Sequence, residues 1–363
     1  MKNRFHYSYL ASAIAAGLLL CSVGAQAAGE LSADQRKTSL YQLADLVASN
    51  YVFPDKGAQL ASEIRKRADQ DAYKEVVSPQ AFAERLGKDL QVLSHDKHFR
   101  VNFAPEFVPD AKPFQGPSAA EITEIKNDAA MRAFGIGRLE RLPGNIGFLE
   151  IRGFGPTFSV AKAYEAAMLI LSGTDGLILD LRRNHGGSPE SVALLMSYFF
   201  PEGDNRLINS IYNRPENSTR AFWTQDNLQV RYAGKVAVLT SSDTFSGGEE
   251  CAYDFQTHQR GVVVGETSGG GANPVAPYSI KNGLVAAIPF GRAVNPVTGT
   301  NWEGKGVQPD IRAKAADALP VAYQHLLQQL LEKPRDDEHR DTLKKTLEKA
   351  RSPQTLFPVY YPG

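Results

Sequence analysis

From residue 31 to 105 the apolar residues recur at helical spacing. In SADQRKTSLYQLADLVASNYVF, Leu40, Leu43, Leu46 and Val47 share one helical face behind Ser32, a residue type that caps helix N-termini. ASEIRKRADQDAYKEVV and SPQAFAERLGKDLQVLSH repeat the pattern, with Ser78 as a second cap. Three amphipathic helices in succession predict a small helical bundle. VPDAKPFQGPSAAE, Pro-rich and without a period, reads as the connection out of it.

The remainder alternates short apolar runs with helical stretches. NIGFLEI, DGLILDL, KVAVLTS and GVVVGET read as strands; PTFSVAKAYEAAMLILSG, SPESVALLMSYFF and SGGEECAYDFQTHQ read as helices. That alternation predicts an α/β sheet buried on both faces. YSIKNGLVAAIPFGRAV reads as a β-hairpin turning at Asn282-Gly283, and ALPVAYQHLLQQLLEK and DEHRDTLKKTLEKAR as terminal helices. The expected layout is therefore a leader at 1–27, a helical domain at 28–110, an α/β core at 111–315 and C-terminal helices at 316–363.

The leader rests on Lys2 and Arg4, the apolar LASAIAAGLLLCSVG, and Ala25-Gln26-Ala27 as a small-x-small cleavage site. It predicts a periplasmic or secreted chain with no stable membrane span. With 40 basic and 40 acidic residues, the chain lacks the basic footprint of a nucleic-acid binder. Its two cysteines are Cys21, in the leader, and Cys251, which leaves a mature chain without an intramolecular disulfide. Cys251 reads as a small core hydrophobe. The cysteines and histidines show no metal-ligand spacing, and no cofactor is expected.

Three of the apolar strands run into polar or Gly-rich loops: RRNHGGSP, SDTFSGGEE and TSGGGANP. Ligands of open α/β sheets bind beyond the carboxyl ends of strands. Ser246, at the head of a helix, fits a nucleophile flanked by the amides of Gly247 and Gly248, which have no intrahelical partners. Serine is equally a favoured N-cap, and Gly186-Gly187 equally serves a tight turn. A serine nucleophile needs a base. His185 reads as a loop residue, His258 follows a helix, and His325 and His339 read as surface groups. His95 and His98 remain, and spacing alone does not choose between them.

In order, LDLRRNHGG, VLTSSDTFSGGEE, VVVGETSGGGA and EGKGVQPDI resemble the carboxy-terminal processing (tail-specific) serine peptidase family, within the branch of the tricorn core and interphotoreceptor retinoid-binding protein. The resemblance implies a crotonase-like (ClpP/crotonase) α/β spiral core behind an N-terminal helical bundle. It assigns Ser246 as nucleophile, His98 as base, Glu303 as supporting acid, and Gly247 with Gly186 or Gly187 as oxyanion donors. The implied substrate is a peptide or unfolded protein.

Two departures from the family pattern stand out. No lysine lies between Ser246 and Lys281, so the Ser-Lys dyad of the bacterial branch is not expected. Lys97 precedes His98 where the tricorn type has a serine linking histidine to acid, which makes Lys97 a candidate neighbour of the base. The stretch from His98 to Asn145 is also too short for a PDZ domain. The rival reading is a non-catalytic protein binding apolar ligands or peptides on the same scaffold.

Overall fold

The computed structural model describes residues 29–107 and 117–351; the predicted leader lies outside them. Along the chain run α1 (Ala33–Asn50), α2 (Pro54–Asp69), α3 (Pro79–Ser94), β1 (Arg100–Phe103), α4 (Ala119–Met131), β2 (Ile136–Leu142) and β3 (Ile146–Ile151). Next come α5 (Thr157–Leu171), β4 (Gly176–Asp180), α6 (Pro189–Ser197), β5 (Leu207–Asn213), β6 (Ser218–Trp223) and β7 (Lys235–Thr240). The chain then forms α7 (Gly247–Thr257), β8 (Val262–Gly265), β9 (Val275–Ile280), β10 (Leu284–Pro289), β11 (Gly291–Val294), β12 (Ile311–Arg312), α8 (Ala318–Glu332) and α9 (Asp337–Ala350).

Two compact units divide the chain. The first comprises Met1–Pro117, Ile211–Arg220 and Asn273–Ala293. Ser32 caps α1 in a reciprocal box with Gln35, and Ser78 caps α3, as the sequence predicts. The unit is wider than the expected 28–110 segment because β1 needs a ladder partner. It pairs antiparallel with β10, Arg100 opposite Ala287, and β10 pairs with β9 through a turn holding Asn282 and Gly283 at positive φ. Leu40, Leu43, Val47, Phe82, Leu86 and Phe99 close over Leu284 and Ile288 in one core. Each such side chain contributes about 1.5–3 kcal/mol by leaving water.

The second unit comprises Ser118–Ser210, Ala221–Ala272 and Val294–Gly363. Its sheet has the order β12-β8-β7-β4-β3-β2, parallel throughout except for the antiparallel edge strand β2. β3 and β4 are buried at every position, as continuous apolar runs require of a two-sided sheet. Ile146, Phe148, Ile178 and Leu239 pack with Tyr323, Leu326 and Leu327 of α8 and Leu343 of α9. The C-terminal helices are therefore part of this unit's core rather than a separate segment. A further sheet, β11-β5-β6, is made of strands through which the chain passes from one unit to the other. Among the described residues no helix is long and apolar enough to cross a membrane.

One expected connection is partly helix. Ser118 and Glu121 form a reciprocal capping box that opens α4 within the stretch read as a linker. α4 has no fully buried residue; Ile122, Ile125 and Ala129 share one face but are only partly buried.

Candidate active site

The polypeptide leaves β7, turns through Ser241–Phe245 and enters α7 at Ser246. Ser246 has φ 52° and ψ −120°, a region that L-residues occupy only when their surroundings hold them there. An ordinary N-cap is extended; this serine forms a reciprocal capping box with Glu249 but departs from that backbone shape. Its N–H donates to Glu249 Oε2 at 2.9 Å. Glu249, fully buried, also accepts Ser268 Oγ at 2.6 Å and the N–H groups of Gly270 and Gly271 at 2.5 and 2.8 Å. Burial pushes this carboxyl up, while its four donors pull it back toward the charged form. One carboxylate thus ties the strained serine to the Gly-rich loop after β8.

The loop after β4 packs on the same serine. Asn184, fully buried, accepts the Phe245 N–H on its carbonyl at 2.9 Å and the Gly186 N–H on its side chain at 2.8 Å. A Cβ on Gly186 would stand 2.7 Å from Ser246 Cβ, and one on Gly187 would stand 2.0 Å from the Phe154 carbonyl oxygen. Gly187 has φ 137°, so here only glycine satisfies both the backbone and the space. A Cβ on Gly247 would lie 3.0 Å from the Gly187 nitrogen, which brings those two main chains together. The Gly186 N–H is engaged by Asn184, whereas the Gly187 and Gly247 N–H groups have no protein acceptor among the described residues.

Glu303 sits in a turn laced to residues 268–272. Its Oε2 accepts the Ala272 N–H at 2.6 Å, Trp302 Nε1 donates to the Gly271 carbonyl at 2.7 Å, and Gly304 N–H donates to Gly270 O at 2.9 Å. Cys251 is fully buried with its thiol pushed well up by burial, the inert core residue expected. His339 departs from expectation. Its side chain is 9% exposed and its Nε2 lies 3.4 Å from Asp175, because α9 folds onto the turn at Asn145.

His98 and Lys97 belong to the first unit. α3 ends at His95, which adopts the left-handed conformation with φ 57° and its N–H on Gln91 O. Asp96 Oδ1 then accepts the His98 N–H at 2.9 Å in an Asx turn, while Asn273 Nδ2 donates to Oδ2 at 2.9 Å. The His98 side chain is only 10% exposed, and Lys97 is exposed. Burial, aided by the Arg100 guanidinium, pushes the imidazole down to about 3. The cation that bears on His98 is therefore Arg100, not Lys97 as its sequence position suggests.

A pair the sequence did not flag lies on α7 itself. Glu250 and Asp254 are buried one turn apart, and Asp254 accepts Asn295 Nδ2 at 3.1 Å. Burial pushes Glu250 up to about 8, with Glu190 adding to the shift. A raised carboxyl favours folding fully below its unfolded value near 4.5, and that contribution is lost as pH rises through 8. Glu250→Gln is expected to flatten the fall in stability between pH 5 and 8 and to stabilise the protein at pH 8 on the order of 3 kcal/mol. Denaturant titrations across that range check it. Only the hydrophobic context of the helix could have signalled this pair.

The chain matches the model "Peptidase family S41" over residues 145–313 and "N-terminal domain of Peptidase_S41 in eukaryotic IRBP" over residues 26–134. Over those residues it is similar to peptidase family S41 and to that family's N-terminal domain. It is 27% identical over 186 residues to carboxyl-terminal-processing peptidase 2, chloroplastic, of Arabidopsis thaliana, a match covering 48% of this chain and 34% of that protein. The chain spans about a third of the length of the curated relatives it matches. Among solved structures, a putative peptidase from Parabacteroides merdae superposes with TM-score 0.53 at 16% identity, covering 88% of this chain and 96% of that one. The tricorn protease superposes with TM-score 0.51 at 12% identity, covering 88% of this chain and 37% of that one. At such identities the likeness establishes the fold.

Proposed function

We propose that this chain is a serine peptidase, acting on peptides or unfolded polypeptides, in which Ser246 attacks the carbonyl and His98 takes its proton. The observation that carries this reading is the strained Ser246 at the head of α7 beside the amides of Gly187 and Gly247. Those N–H groups would receive the charge that develops on the carbonyl oxygen. Gly187 suits the second donor better than Gly186, whose N–H already serves Asn184. The serine's proton passes to neutral His98 and then to the leaving amine, and water reverses the sequence to release the acyl group. Glu303 completes the charge network as the supporting acid. Lys97 is exposed and takes no proton in the cycle.

The N-terminal leader further supports export to the periplasm or beyond. An unstructured polypeptide such as casein, incubated with the full chain and sequenced by mass spectrometry, is expected to gain new termini. Addition of EDTA should leave the rate within about twofold, since no metal ion takes part in this scheme. Intact casein, or cleavage that EDTA stops, would reject it.

A further inference from the structure

We infer that Asp96 orients the imidazole of His98, holding Nδ1 as the protonated nitrogen so that Nε2 carries the basic lone pair. The inference rests on the reading of His98 as the base and adds a residue that the family resemblance does not assign. Asp96 Oδ1 lies 3.9 Å from His98 Nδ1 and accepts the His98 main-chain N–H at 2.9 Å. One oxygen therefore fixes the backbone of the histidine and faces its ring. The other oxygen accepts Asn273 Nδ2 at 2.9 Å and lies 3.5 Å from the Tyr51 hydroxyl, and the Asp96 N–H donates to Ser94 Oγ at 3.0 Å. The carboxylate is 2% exposed, so these donors fix its position rather than water.

A buried acid so thoroughly anchored, and carried two residues before the base, does locally what the serine at the Lys97 position does in the tricorn type. The 3.9 Å separation exceeds a hydrogen bond, and catalytic contacts of this kind tighten once substrate is bound. During the cycle Nδ1 keeps its hydrogen toward Asp96 while Nε2 gains and returns the serine proton. Asp96 itself exchanges no proton.

The test is Asp96→Asn in the full chain, read by 15N NMR of the His98 ring together with kcat and KM. Asparagine meets the Asn273 Nδ2 donor with its oxygen only by turning its amide NH2 toward His98, where it donates and removes the acceptor that selects the tautomer. The expected result is loss of the Nδ1–H tautomer and a kcat lower by about 10- to 100-fold, with KM within about twofold; the effect is smaller than loss of a directly bonded triad acid. An unchanged tautomer overturns the proposal, whether kcat holds or falls in step with thermal stability. The ring signal does not require turnover. If the wild type cleaves nothing while Asp96→Asn still switches the tautomer, the peptidase reading fails and the orienting role stands.

Discussion

Ser246→Ala is expected to lower kcat by at least about a thousandfold while changing unfolding free energy by less than about 1 kcal/mol. The two halves of this prediction have separate causes. Only the hydroxyl can form the acyl bond, so its removal leaves the oxyanion amides without a nucleophile to assist. The structural anchor of residue 246 is its main-chain N–H on Glu249, which alanine keeps. Alanine also has the same difficulty with φ 52° that serine has, so the backbone strain cancels between the two proteins. If the residue were instead an ordinary cap, the variant would lose about 1 kcal/mol or more and keep its turnover. Steady-state kinetics and urea titration on the same preparation separate these outcomes.

His98→Ala should cost a comparable factor, because a serine without a base is a weak nucleophile at neutral pH. The pH profile carries more information than the loss. The sequence alone places the acid limb in the ordinary histidine range, about 6 to 7. Burial and Arg100 hold the His98 imidazole near 3, so the base is already neutral over the physiological range and the limb should fall well below 6. For stability the sign is the same. A depressed histidine favours folding fully above its unfolded value near 6.5, and the contribution is lost as pH falls toward 3. Arg100→Gln removes the cation and should raise the acid limb, whereas Lys97→Ala should leave it in place. A limb that stays near 6.5 in the wild type, or that moves with Lys97 and not Arg100, contradicts this account of the base.

What could be read from the sequence follows from how each element is stabilised. α1 and α3 announced themselves through a cap and an apolar face, and β3, β4, β7 and β8 through continuous apolar runs, because burial of those residues is what holds them. α4 escaped because it buries no residue fully, and β5 and β6 because mixed burial leaves no clean period. The joining of β9 and β10 to the helical unit is a long-range pairing, and no local pattern encodes which edge a hairpin will meet.

The site divides in the same way. Ser246 and the glycines of the proposed site stand out as motifs, because acyl-transfer chemistry would fix residue type and spacing there. The clamp at Glu249, the anchoring of Asp96 by Asn273 and the choice between the Gly186 and Gly187 amides depend on contacts between distant loops. Lys97 shows the hazard of reading charge from adjacency, because successive residues of a turn point in different directions. The neighbour in sequence is exposed, and the cation that matters is Arg100.

The central claim is that Ser246 is a nucleophile activated by His98, and a fluorophosphonate that reacts only with activated serines tests it most directly. The full chain is treated at pH 7, digested, and the adduct located by tandem mass spectrometry. The account predicts one stoichiometric adduct on Ser246, retained in Lys97→Ala and absent from His98→Ala. An adduct on any other serine, or an unlabelled Ser246 in a preparation that cleaves peptides, would contradict it.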